Sequence, residues 1–229
     1  MKETSKTTRL RSSNFYTKFL TGHIIDIGAG NDLVVPGAER FDKSDGDAND
    51  ITAYRKSESY DTVYSSHCLE HMINPKEALK KWWQLIKPGG HLVLVVPDED
   101  LYEQGFWPSV FNGDHKATFT LKETESWSPV SHNLVALVAT LPSCQIISVE
   151  QQDKGYDYLL QTRFPPPEKK TPSVFFIFLK KVLQSYVRIK FFRYRLDNFL
   201  FFRYSVPVDQ TRRGAVAQIQ VVARKSKLS

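Results

Sequence analysis

The residues Asp26-Ile27-Gly28-Ala29-Gly30 put a carboxylate two positions ahead of a glycine pair, at the end of the apolar run His23-Ile24-Ile25-Asp26-Ile27. Where no Cβ intrudes, backbone can close on a ligand. In an open parallel sheet that ligand sits beyond the carboxyl ends of the strands. The spacing is D-x-G-x-G; position 33, where a dinucleotide loop has its third glycine, is Leu33, which argues against a nicotinamide cofactor. Further on, Asp42 offers a carboxylate able to take two ribose hydroxyl protons, and Asp47-Ala48 is a pair suited to an adenine edge. Ser65-Ser66-His67-Cys68-Leu69-Glu70-His71 and Asp114-His115-Lys116 hold the groups that could move a proton or face a reacting atom. A histidine tuned near neutral pH suits the removal of a proton from an attacking hydroxyl, and an aspartate can orient it. His115 with Asp114 is therefore the first candidate, and His67 the second.

His67-x-x-Glu70-His71 also fits a zinc pattern. That chemistry needs both histidines on one helical face and a third ligand. A strand ends at Ser65 or Ser66, which leaves His67 in a turn. Glu70 and His71 are therefore expected to shape the floor of a site, and no metal is expected. Asp98-Glu99-Asp100 reads as a solvated loop or a set of sugar-hydroxyl contacts.

These residues need a frame. His23–Ile27, Glu39–Asp42, Asp61–Ser65, His91–Val96, Gln145–Glu150 and Ala217–Ala223 are predicted strands. Residues 13–21 and Ser131–Leu141 are predicted helices. The strongest helix is Pro75–Lys87, with Asn74 as N-cap, Pro75 at its first position and an apolar face of Ala78, Leu79, Trp82, Trp83, Leu85 and Ile86. Pro88-Gly89-Gly90 ends it. Strands alternating with helices imply an α/β, mostly parallel sheet.

The blocks around Asp26–Gly30, Asp42–Ala48, Tyr60–His71 and Leu85–Pro97 resemble, in this order, a class I S-adenosylmethionine-dependent methyltransferase. The resemblance covers about residues 15–115. It implies a Rossmann-like sheet of seven strands, mostly parallel with the last reversed. It also implies S-adenosylmethionine as cofactor: Asp26, Ile27, Gly28, Ala29 and Gly30 cradle its methionine end, Asp42 its ribose, and Asp47 with Ala48 its adenine. Ser66 and His67 would lie beside the sulfonium. Only 11 residues separate Gly30 from Asp42 and four separate Asp42 from Asp47, so the usual helices there are short or lost. Ser65–His71, Trp82-Trp83, Pro97–Tyr102 and Asn112–Lys116 together resemble the small methyltransferases of bacterial surface-polysaccharide gene clusters.

Of 229 residues, 41% are hydrophobic and 24% charged, enough for a packed core. Cys68 and Cys144 are the only cysteines, which excludes a disulfide scaffold. The net charge of +6 points to an anionic partner. Much of the excess lies in residues 174–204, with seven Lys or Arg, one Asp and eleven aromatics. Residues 156–206 are thus expected to be a basic, aromatic helical cap inserted between the last two strands. Residues 13–155 with 207–229 would form the catalytic domain, and residues 1–12 a flexible basic arm. Phe175, Phe178, Leu179, Val182, Leu183, Tyr186 and Val187 keep helical spacing, with Lys180, Lys181 and Arg188 on the other side. Such a helix covers a core or touches anionic lipid. The first 10 residues carry no apolar leader, so a cytoplasmic protein is expected, peripheral at the inner face of the cytoplasmic membrane if the cap meets lipid. The expected acceptor is an anionic small molecule or lipid-linked glycan, methylated on oxygen. RNA, drawn by the basic cap, is the less favoured acceptor, and a catalytically silent binding module is the third reading.

Overall fold

The structure, a computed structural model, describes residues 3–162, 175, 177–180, 182 and 190–227. Four apolar or alternating segments run side by side in its centre. β1 (Ile24–Ile27), β2 (Glu39–Phe41), β3 (Tyr60–Ser66) and β4 (Ile86–Pro97) are mutually parallel where they pair. β7 (Cys144–Gln152) and β8 (Gln218–Lys225) complete the sheet in the order β2-β1-β3-β4-β8-β7. β8 runs antiparallel to both of its neighbours, the expected reversal of the last strand. β5 (Thr118–Thr120) and β6 (Ser131–Asn133) form a separate parallel pair.

Among the described residues the sheet has six strands where seven were expected. The missing one belongs beyond β2. Only residues 42–59 join β2 to β3, and they fold into turns around one 3-10 segment, Ala48–Ala53. A parallel crossover takes a dozen or more residues before any extra edge strand is added, so the edge strand has no chain left to form it. Likewise no helix follows the glycine turn: residues 28–38 are turn and coil.

Both faces of the sheet are covered. Ile25, Ile27, Val63, Leu92 and Leu94 pack with α3 (Pro75–Gln84) and α4 (Leu134–Ala139) on one side. Ile24, Tyr64, Val93 and Val95 pack with α2 (Ser13–Phe19) on the other. Asn74 caps α3 by accepting the Glu77 amide hydrogen at 3.2 Å. The fully buried Trp82 and Trp83 fasten α3 through indole N–H donation to Ala48 O and Pro142 O. The helix stops at Gln84 rather than Lys87 because Ile86 already pairs with Tyr60 in the sheet. α4 begins at Leu134 rather than Ser131, since Ser131–Asn133 pairs as β6.

Residues 1–12 are more than a polar arm. α1 (Glu3–Thr8) lies there, with Thr7 fully buried and accepting from Gln218 Nε2 at 2.9 Å. Between β7 and β8 lies α5 (Lys190–Tyr204). The predicted apolar face of residues 175–187 is described only in part; Pro165–Pro167, Leu183, Tyr186 and Val187 lie outside the described residues. What is described departs from a helix that covers the core with its apolar face. Lys180 is buried, 3.5 Å from Asp197 Oδ1, whereas Phe175, Phe178 and Val182 are exposed. Burial lowers the Lys180 pKa and the Asp197 carboxylate opposes that.

Candidate active site

A cleft of about 620 Å³ opens at the carboxyl ends of β1, β2 and β3, a size that suits a small-molecule ligand. Gly28, Phe41, Asp42, Asp47, Ala48 and Tyr54 line one part of it; His67, His71, Asp114 and Lys116 line another. Gly28 lies in its lining, and Gly30 follows in the same turn. Gly28 has φ +79°, and a Cβ there would lie 2.7 Å from Cys68 Sγ. Its N–H donates to Phe41 O at 2.8 Å, so the turn folds down onto β2. Gly30 has φ +54°, and a Cβ there would lie 3.7 Å from Asp42 Oδ2.

Asp26 sits under this turn, 1% exposed, and accepts the Val34 amide hydrogen at 2.7 Å. Its Oδ1 has no hydrogen-bond partner. Burial pushes its pKa up to about 7. Ile27 is fully buried in the core and Ala29 is buried beside the turn, so both shape the loop from beneath. Asp42 is partly exposed; Oδ1 accepts from Lys43 N at 2.7 Å, which leaves Oδ2 toward Gly30. Asp47 caps the 3-10 segment by accepting from Asn49 N and Nδ2, and these bonds lower its pKa. Ala48 O receives the Trp82 indole hydrogen. Of the predicted cofactor residues, Gly28, Asp42, Asp47, Ala48 and His67 line the cleft, whereas Asp26, Ile27, Ala29, Gly30 and Ser66 lie outside its lining. The free side of Asp42, the bare backbone at Gly28 and Gly30, and the volume between them fit a nucleoside bearing a short cationic chain.

The second group is arranged differently from expectation. β3 ends at Ser66, which is buried, and His67 follows with φ +53°. His67 lines the cleft, and its Nε2 lies 2.9 Å from Gln218 Oε1. Asp114 and Lys116 are exposed at the cleft mouth. His115 does not face it. Its ring is buried, with Nδ1 2.6 Å from Glu103 Oε1 and Nε2 4.0 Å from Glu70 Oε1. Burial opposes its protonation, but the hydrogen bond it donates to Glu103 and the charges of Glu70, Glu103 and Asp114 outweigh burial and raise its pKa. With its ring buried against Glu103 and Glu70 and absent from the cleft lining, His115 is not placed to take a proton from a molecule in the cleft. Of the pair expected to shape the floor of the site, His71 lines the cleft, whereas Glu70 is 1% exposed and does not. Asp98 and Glu99 are likewise buried rather than solvated. Asp98 caps Glu99–Glu103, and Glu99 accepts from Thr118, Ser126 and Ser131 hydroxyls.

Among the described residues no helix is long and apolar enough to cross a membrane. No curated protein matches the chain. Solved structures do. A SAM-dependent methyltransferase from Thermotoga maritima aligns at 14% identity and TM-score 0.47, covering 98% of this chain and 88% of that one. One from Archaeoglobus fulgidus aligns at 15% identity and TM-score 0.46, covering 98% and 95%. The YcgJ protein from Bacillus subtilis aligns at 12% identity and TM-score 0.43, covering 85% and 74%. The decisive match is to a family model described as a methyltransferase domain, over residues 8–128, more than half of the chain and the whole of the glycine turn and the His67–His71 block. The chain therefore belongs to the methyltransferase domain family, as a class I enzyme of α/β fold whose methyl donor is S-adenosylmethionine.

Proposed function

We propose that this methyltransferase acts on a hydroxyl of an anionic saccharide, in the building of a bacterial surface polysaccharide. The observation that carries the reading is the make-up of the cleft beyond the cofactor floor. His67, His71, Asp114, Lys43 and Lys116 supply hydrogen-bonding and charged groups, and Lys43 Nζ stands 4.0 Å from Asp114 Oδ2 across the mouth. A wall of this kind suits an acceptor with several hydroxyls and a phosphate or carboxylate. S-adenosylmethionine supplies the methyl group, as an electrophilic carbon on a sulfonium. Asp42 holds the sugar of the donor, and the bare turn at Gly28 and Gly30 lets its chain lie close to backbone. Asp114 orients the acceptor hydroxyl by accepting its hydrogen bond, and Lys116 and Lys43 receive the anionic group. Rate then comes mainly from holding oxygen, carbon and sulfur in line.

Residues 156–206 are proposed to present this acceptor on a lipid carrier. Phe175, Phe178, Phe199 and Phe202 are each more than half exposed, and Arg195 and Arg203 lie on the same stretch. Exposed aromatics among basic residues suit the boundary of an anionic membrane. The buried Cys68, whose thiol burial pushes well above its ordinary pKa, offers no nucleophile for base methylation in RNA. The test is methyl transfer from isotopically labelled donor to a panel of nucleotide sugars, lipid-linked glycans and RNA. Label in a glycan, on oxygen, is expected; label in RNA alone overturns the reading.

A further inference from the structure

Glu70 is 1% exposed, and neither of its carboxylate oxygens has a hydrogen-bond partner. Yet Oε1 is ringed by three imidazoles: His67 Nδ1 at 3.6 Å, His71 Nε2 at 3.8 Å and His115 Nε2 at 4.0 Å. These separations are too long for hydrogen bonds. Leaving a buried carboxylate so is costly unless a cation answers it.

The outer nitrogens of the rings fix what the inner ones offer. His71 Nδ1 lies 3.2 Å from Asp114 O, a backbone carbonyl that can only accept, so Nδ1 carries the hydrogen. His115 Nδ1 lies 2.6 Å from the Glu103 carboxylate and must donate too. For His67 the sense is set by a relay. The Glu150 carboxylate accepts from Gln152 Nε2, so Gln152 Oε1 is free to accept from Gln218 Nε2, and Gln218 Oε1 accepts from His67 Nε2. In its neutral form, the form a bound cation requires, each ring turns a lone pair toward Glu70. Oxygen partners on the outer nitrogens of histidines are the usual second layer of a metal centre. Glu70 and Glu103, 1% and 2% exposed, bring two negative charges, and among the described residues no Lys or Arg pairs with either.

We infer that Glu70, His71 and His115 bind a divalent transition-metal ion. Their ligand atoms all lie within 4.8 Å of one another. Tetrahedral zinc with bonds of about 2.0–2.1 Å sets its ligand atoms about 3.3 Å apart, so a closure of about half an ångström per side chain completes the set. Imidazole with carboxylate selects zinc, cobalt, manganese or iron over magnesium and calcium. The segment carrying His115 is fixed to the Glu70 segment by Lys116 N and Ala117 N, which both donate to Glu70 O, and by Lys116 Nζ, which donates to His71 O. That local bonding explains why the third ligand comes from 44 positions downstream, where no helical H-x-x-E-H spacing would find it. His71 also lines the cleft, so the open side of the ion faces the acceptor region; this last point alone rests on the proposed function.

The test uses the full chain, produced without a histidine tag, stripped with chelator and titrated with Zn²⁺ and with Co²⁺. One ion per chain is expected, with a visible cobalt ligand-field band. His71→Ala, whose ring is partly exposed and whose loss spares the core, should weaken Zn²⁺ binding by more than about 100-fold. Glu103→Gln, which acts through His115, should weaken it by about 10–100-fold. His23→Ala, far from the cluster, should leave it unchanged. Melting curves check that each variant is folded. Binding absent from the folded wild type, or equal in wild type and His71→Ala, overturns the inference. Calorimetry with S-adenosylhomocysteine on the same samples reports the donor site separately, so failure of the metal site and failure of the methyltransferase reading are distinguishable.

Discussion

Gly30 and Asp42 face each other beside the cleft: a methyl group built on the glycine would stop 3.7 Å from Oδ2 of the carboxylate. The glycine keeps open the space that the carboxylate serves. Gly28 is different, since the same addition there strikes Cys68 Sγ at 2.7 Å. Both glycines have positive φ, which costs any side chain about 1–2 kcal/mol. Gly30→Ala should therefore weaken S-adenosylhomocysteine binding with a small drop in melting temperature. Gly28→Ala should weaken binding and lower the melting temperature clearly further. Calorimetry and thermal melts on the two variants measure this; equal melting temperatures would contradict the packing account.

Asp42→Asn keeps the Oδ1 bond from Lys43 N and removes the charge facing the ribose. A hydrogen bond to a charged group contributes about 1.5–3 kcal/mol, so the dissociation constant for S-adenosylhomocysteine should rise about 10–100-fold. Unfolding free energy should hardly change. An unaltered dissociation constant removes Asp42 from the donor site.

Asp114→Asn, on the exposed side of the cleft, should lower kcat/KM for the acceptor about 10-fold or more while donor binding stays as in the wild type. Steady-state kinetics on the first acceptor found, with donor affinity measured beside it, decide the point. A fall in donor affinity of the same size would place Asp114 elsewhere.

Burial raises the pKa of Asp98 to about 6, with the nearby Asp100 charge adding to the rise and the Leu101 amide opposing it. The folded chain therefore holds this proton at a pH where the unfolded chain has released it. Stability is full below the unfolded value near 3.8 and falls as pH rises through about 6. Asp98→Asn lacks this loss. Its unfolding free energy relative to wild type should rise between pH 4 and 7 by up to about 3 kcal/mol. Urea melts at four or five pH values test this, and a pH-independent difference refutes it.

Asp197 is buried against Lys180 and Arg213, at 3.5 Å and 3.4 Å. Asp197→Ala strands the buried Lys180 and the partly buried Arg213 and should cost about 3 kcal/mol, seen as loss of the cap's resistance to protease or as a lower melting temperature. Lys180→Met should cost much less. Equal effects would mean the pair is not buried in solution.

The glycine turn and the start of α3 were legible because their chemistry is local: a buried strand, a Cβ-free turn and a helix with Asn74 and Pro75 at its start each show in consecutive residues. Most strand edges shifted by a residue or two, but β4 starts five residues before the predicted His91, since Ile86 joins it by pairing with Tyr60, a partner set by tertiary structure. The missing edge strand was half legible, because the short spacing from Asp42 to Asp47 was visible while its effect on strand count was not. His115 misled. Its type and its neighbour Asp114 suit a base, but its direction depends on Glu103 and Glu70, and no spacing reveals which way a loop turns a ring. Lys180 misled similarly: helical periodicity placed it outward, and Asp197 with Pro207 O holds it inward.

The amide relay from Glu150 through Gln152 and Gln218 to His67 spans the sheet from its outermost strand. Polarity is handed along it like current through a one-way wire, because a carboxylate at the rim can only receive. A shortened chain ending before Gln218 would keep every motif near its beginning and lose the sense in which that imidazole is wired. The tail of this protein is thereby a working part of its head.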